Sequence, residues 1–355
     1  MSQVTSRGAR WHIPPIAAVT RFAVRGETMT DAVPNAVRNS WSHPAALLVA
    51  TDLNDLDRLM PFALGQASET GARLLLLHAL ASGAGMAMDA LGMPYYDPGS
   101  ALEFAVKTLE PWCAVAQRKG IQCDALVREG HAAKHIEAAI RQFQVDRVLL
   151  GTRSRSKLGK LLLGSVAEQV LRSVNLPVIT VGPEAHLPVD AEQRVVLHAT
   201  TLREASIPSA ALACQIAATQ GAKLVLLHVL PPVEEPGSFQ AFAGKAGRIG
   251  EQAGLDSTAL HEMSVLAAQA GASCCSAVDA LVVHGNPSIE ILAAAAEHHA
   301  GLIVLAATER SIFQTLARDR TIYRVLAHAR CPVLTLREPI AATVPLKEQL
   351  SSIHL

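Results

Sequence analysis

Aromatic residues are scarce: they make up 4% of the 355 positions, although half of all residues are apolar. The core must therefore be built from Ala, Leu and Val, which suits buried parallel strands flanked by Ala-rich helices. Charge of one sign is lacking as well. Lys plus Arg and Asp plus Glu both number 31, so the net charge is zero. That balance excludes a general nucleic-acid or membrane-surface binder. Apolar runs such as Leu74 to Leu77 are far too short to span a bilayer. None of the six cysteines stands in a C-x-x-C pair, which points to reduced thiols in a cytoplasmic protein.

The sequence also lacks the common catalytic signatures. There is no G-x-x-x-x-G-K-[ST] loop, no convincing Ser/His/Asp spacing and no metal-ligand cluster. His131 and His135 share one helical face but have no third ligand, so capping or surface roles are expected. His78 and His228, at matching strand ends, are expected to make structural hydrogen bonds. No general base stands out, and the protein is read as a non-enzyme.

What is present is a repeat. AALLVATDL (45–53) returns as RVVLHATTL (194–202), and ARLLLLHAL (72–80) as AKLVLLHVL (222–230). ALVREGH (125–131) returns as ALVVHGN (280–286), DRVLLGT (146–152) as GLIVLAA (301–307), and NLPVITV (175–181) as RCPVLTL (330–336). Order is kept, so a whole domain is duplicated. Each copy has five short Val/Leu/Ile runs separated by helical patterns, which implies right-handed crossovers and a parallel sheet covered on both faces. Gly71 and Gly221 are placed to end helices, and Asn286–Pro287 to start one. Residues 82–100 and 231–256 read as loops before a helix.

The expected domains are 45–182 and 194–337, joined by a linker at 183–193 and followed by a tail at 338–355. Residues 1–44 are Arg-rich and acid-free before Glu27. They read as a disordered leader or a start placed too early, with Met29 as the alternative start.

After the fourth strand the first copy reads Gly151-Thr-Arg-Ser154, nine residues, then Gly164-Ser165 and a helical run, VAEQVLRSV. With LLLGSVAEQVLRSVNLPVITV, this resembles the universal stress protein family, whose ATP-binding members carry G-x-x-G-x9-G-[ST] at this place. The resemblance implies an α/β fold: two tandem doubly wound five-stranded parallel sheets of strand order 3-2-1-4-5, the adenine nucleotide alpha hydrolase-like arrangement. It also implies pairing through the fifth strand, hence an intramolecular pseudo-dimer, with a homodimer also open. It implies an ATP-binding stress-response regulator, with or without Mg2+. Asp52 would hold adenosine, Ala79 and Leu150 would offer backbone near the base, and Ser165 and Val166 would meet the phosphates; Gly151, Ser154 and Gly164 complete the expected nucleotide site, Gly151 by letting backbone approach the ligand.

Physical reasoning agrees. Ligands of doubly wound sheets sit past the strand carboxyl ends, where the order reverses. A helix N-terminus favours anions, and Arg153, Arg155, Lys157 and Lys160 make the intervening loop basic. Ser154 departs from the family glycine, at a cost on the order of 1 kcal/mol if its φ is positive. Ser165-x-x-Glu168 also reads as a plain capping box. In the second copy Ala306, Glu309, Asp319, Arg320 and Thr201 replace Gly151, Ser154, Gly164, Ser165 and Asp52, so that site is read as lost. The competing readings are a nucleotide-free interaction scaffold, binding a protein partner through the long loops, and, less favoured, a slow ATPase.

Overall fold

The computed structural model describes residues 20–22, 41–81, 86–88, 94–96, 98–152, 163–186, 194–202, 206–232, 245–272, 278–308 and 320–338. In the first half, strands β2 (Ala46–Thr51), β3 (Arg73–Leu80), β6 (Cys123–Glu129), β7 (Arg147–Gly151) and β8 (Val178–Val181) alternate with helices. These are α1 (Leu56–Thr70), α2 (Pro98–Arg118), α3 (Ala132–Phe143) and α4 (Ser165–Ser173). The second half repeats this with β9 (Val195–Thr200), β10 (Lys223–Leu230), β11 (Val278–His284), β12 (Ala300–Thr308) and β13 (Val333–Glu338). Its helices are α5 (Ser206–Thr219), α6 (Lys245–Ala272), α7 (Pro287–Glu297) and α8 (Arg320–His328).

The strands run β6-β3-β2-β7-β8 in the first half and β11-β10-β9-β12-β13 in the second. Both are the order 3-2-1-4-5, parallel throughout. Strand residues alternate between two cores. Leu47, Val49 and Leu149 face α1 and α2, while Leu48, Ala50 and Leu150 face α3 and α4. Because both faces are covered, every β2 residue is buried, and the run reads as continuously apolar.

The fifth strands join the halves. β8 pairs antiparallel with β13, Ile179 opposite Leu334, so the two domains share one eleven-stranded sheet. This is the expected pseudo-dimer: each domain covers the other's open edge. Thr180 Oγ1 donates to Val333 O at 3.3 Å. Arg337 donates to Asn175 Oδ1 at 2.7 Å and Leu171 O at 3.1 Å, and Arg194 pairs with Glu69.

Gly71 and Gly221 end α1 and α5 at φ 73° and 60°, where a side chain would be strained. Asn286 caps α7 by accepting from Ser288 N at 3.1 Å, with Pro287 in the first turn.

Several expectations change. Segment 82–100 is not all loop: β4 (Met86–Met88) and β5 (Pro94–Tyr96) pair antiparallel, and α2 begins at Pro98. Within 231–256, α6 starts already at Lys245; its glycines had hidden the helix former pattern around them. From the leader, β1 (Thr20–Phe22) lies antiparallel on β11, covering that edge, with Thr20 opposite Ala280. Trp41 O accepts from Arg147 at 2.5 Å. Arg147 is 1% exposed, and Gln66 Oε1 takes a second of its hydrogen bonds at 2.6 Å. Cys214 is disulfide-bonded, against the expectation of reduced cysteines throughout, whereas Cys113, Cys123 and Cys331 are free thiols.

Candidate functional site

The strand order reverses between β2 and β7, and the carboxyl ends of these strands bring together most of the residues singled out from the sequence. Past Thr51 the chain turns sharply into α1, with Leu53 at φ 72°. Thr51 Oγ1 organises the turn. It accepts from Leu53 N at 2.9 Å and donates to Asp55 Oδ1 at 2.5 Å. Asp52 is exposed at the mouth, and its Oδ1 accepts from Asn54 N at 2.8 Å in an Asx turn.

Ala79 follows His78, which lies opposite Thr51 in the neighbouring strand, so Ala79 stands at the same rim as Asp52. His78 Nδ1 bonds Thr51 O at 2.9 Å, and His228 Nδ1 bonds Thr200 O at the same distance. Both histidines are therefore hydrogen-bonded to the adjacent strand end, in matching fashion. His135 Nε2 bonds Glu129 O at 2.8 Å, fastening the start of α3 to the end of β6. Leu150 is buried on the α3/α4 side, so only its backbone is offered to the rim. Among the described residues no group of three His, Cys, Asp or Glu side chains is placed to hold a metal ion. No described helix is long and apolar enough to cross a membrane.

On the other side of the reversal, Thr152 N donates to Val181 O at 3.1 Å and Thr152 O accepts from Gly164 N at 3.0 Å. These bonds hold the start of α4 against the end of β7. Gly164 is the N-cap residue, extended at φ −62° and ψ 143°, and as a glycine it offers no side chain to cap the helix. Ser165 is the first helical residue, so the expected capping box does not form. Glu168 instead pairs with Arg172 at 2.8 Å. Ser165 and Val166 are exposed in the first turn. The glycine at the N-cap thus provides no side-chain acceptor for the first N–H groups of α4. Ser154 and the basic residues Arg153, Arg155, Lys157 and Lys160 lie outside the described residues.

Sequence reasoning missed Asp55. It is 6% exposed, and a Cβ built on Gly151 would run into its Oδ2. The clearance that Gly151 provides is therefore taken by a carboxylate of the same domain, where a ligand had been expected. Burial is the main cause that raises the Asp55 pKa; the Thr51 hydrogen bond opposes it, and the neighbouring Asp52 charge adds to it. The available signal was the four-residue spacing from Thr51 to Asp55 just before α1. The second half keeps the turn, with Leu202 at φ 54° and its N–H on Thr200 Oγ1 at 3.3 Å. It has Ala306 in place of Gly151, and Thr201 faces Ser206 Oγ at 3.3 Å. Glu309 and Asp319 lie outside the described residues.

Comparison with known proteins agrees with this architecture. The model of the universal stress protein family matches residues 46–182 and 193–337. A universal stress protein of Thermus aquaticus is 32% identical over 138 residues, covering 38% of this chain and 96% of that protein. The crystal structure of a universal stress protein from Archaeoglobus fulgidus superposes with a TM-score of 0.57 at 20% identity, covering 84% of this chain and 98% of that one. A putative universal stress protein from Pseudomonas aeruginosa gives 0.57 at 16% identity, covering 84% and 95%. With both repeats matched and the sheet order reproduced twice, this chain belongs to the universal stress protein family.

Proposed function

We propose that the protein is a non-enzymatic, ATP-binding regulator of the stress response, with nucleotide held by the first domain only. The observation that carries the reading is the glycine N-cap of α4 beside the ends of β2 and β7. A helix start whose N-cap has no side chain is suited to phosphate. Gly164, Ser165 and Val166 would meet the phosphates, aided by Ser154 and the basic loop. Asp52 would hold the adenosine, and backbone at Ala79, Leu150 and Gly151 would line the base side. Mg2+ would accompany the triphosphate. The second domain, with Ala306 and Thr201 at two of these places, serves as the pairing half.

The scaffold reading has one observation in its favour. Asp55 already fills the clearance at Gly151 and brings a carboxyl group close to the phosphate end.

Replacing Gly164 with Asp decides between the two. The extended backbone of Gly164 suits a capping carboxylate, so folding survives. The carboxylate then occupies the anion position. Two unit charges about 4 Å apart repel by ~4 kcal/mol at an effective dielectric near 20. A loss of roughly 10- to 100-fold in ATP affinity is expected by isothermal titration. Equal saturable binding by both proteins would refute the phosphate placement. Absence of binding by the unmodified protein, with no nucleotide released on denaturation, selects the scaffold.

A further inference from the structure

Two of the free thiols are placed to react with each other. Cys113 lies in the last third of α2, and Cys123 opens β6; the chain reverses between them through Gly120 at φ 76°. Their sulfurs are 2.9 Å apart in a thiol–thiol hydrogen bond, and the residues are 9% and 5% exposed. The other free thiol among the described residues, Cys331, belongs to the other core.

Packing does not demand the second sulfur. Leu74 lies opposite Cys123, and its counterpart Leu224 lies opposite Val278. A valine therefore fills the place of Cys123 in the other half of the molecule. The two thiols are also unequal. The hydrogen bond with Cys123 draws the Cys113 pKa below the usual thiol range. Cys123, its partner in that bond and itself buried, is pushed up. One sulfur is thus prepared as the nucleophile and the other as its resolving partner.

We infer that Cys113 and Cys123 form an oxidation site, a dithiol within the first domain that closes to a disulfide when the protein meets peroxide. The Cys113 thiolate attacks one peroxide oxygen and the O–O bond breaks. This leaves a sulfenic acid on Cys113 and hydroxide, which takes a proton to become water. Cys123 then attacks the sulfenic sulfur; the S–S bond forms, and the departing hydroxide leaves as water with the Cys123 proton. Two thiols and one peroxide give one disulfide and two waters. The sulfurs need approach by only roughly 0.9 Å to reach bonding distance. β6 ends the strand order on the first-domain side, and edge elements open locally at low free energy, admitting a small neutral oxidant.

The test uses the full chain treated with hydrogen peroxide, alkylated in denaturant and digested with trypsin, which cuts at Arg118 and Lys119 between the two cysteines. Mass spectrometry is expected to show the two peptides joined through Cys113 and Cys123 and released by dithiothreitol, with Cys331 still alkylated. The closed loop should raise Tm by roughly 5 °C. Cys123→Val copies the second domain, so it should fold normally and leave Cys113 as a sulfenic acid that dimedone traps. Full alkylation of both cysteines, at a peroxide dose that already oxidises methionine, overturns the inference. So does a Cys113–Cys123 bond that forms only in the unfolded chain.

Discussion

Gly151 has a close neighbour that its motif does not name. Its position in G-x-x-S-x9-G-S suggests backbone laid against a ligand. In the fold, its missing Cβ makes room for the Asp55 carboxylate, which Thr51 holds in place. A methyl group at 151 has to displace a buried, hydrogen-bonded side chain. Gly151→Ala is therefore expected to destabilise the protein by about 1–3 kcal/mol in urea denaturation. Removing the obstacle should remove much of the penalty, so Gly151→Ala with Asp55→Ala should fall well short of the sum of the single changes. Strict additivity would show that the carboxylate is not the neighbour that matters. The second half carries Ala306 at this position, which shows that the fold itself does not require glycine there.

Among the elements, β8 has the role that local sequence cannot reveal. It is four residues long, buried at every position, and flanked by β7 on one side and β13 on the other. Without the second domain, the β13 side of β8 is an open apolar edge. The fragment 41–186 is accordingly expected to form a homodimer through β8 in analytical ultracentrifugation, an isologous contact of the same kind. The whole chain, whose fifth strands satisfy each other, should be monomeric at the same concentration; a homodimer of the whole chain needs another surface. A monomeric, folded fragment would contradict this account of the pairing. Strand and helix existence was legible because periodic apolar patterns are local. The β4–β5 pair and the start of α6 at Lys245 were not, because short strands and glycine-rich helix starts carry little periodic signal.

At the scale of the whole molecule, buried titratable groups make stability depend on pH. His198 is fully buried in β9, with Nδ1 on Val304 O at 3.0 Å and Nε2 against Ser209 Oγ at 3.3 Å. Burial pushes its pKa down to about 4 from 6.5. The native state therefore keeps the ring neutral, while the unfolded chain takes a proton below pH 6.5. Stability from this group is complete above that pH and is lost as pH falls toward 4, by about 3 kcal/mol in all. Asp55 works the other way. Its raised pKa contributes stability that is present in acid and lost as pH rises. The difference between the wild-type protein and His198→Val isolates the histidine. Val49 occupies the matching position of the first half, so the replacement fits the fold. The variant's urea stability should fall less steeply between pH 6.5 and 4 than that of the wild type; parallel pH profiles would exclude the histidine as the cause.

The amino-acid sequence by itself determined the duplication, the ten main strands, the glycine helix ends and the position of the α4 start. Each of these is written in patterns a few residues long or in their repetition about 150 positions later, as offsets such as Val49 to His198 show. Tertiary structure alone decided which carboxylate lies against Gly151, which thiol faces Cys113, what surrounds His198, and that Ile179 meets Leu334. These are contacts between side chains on different elements. They follow from how helices seat on a twisted sheet and how one sheet edge closes on another, and local patterns along the chain do not fix them.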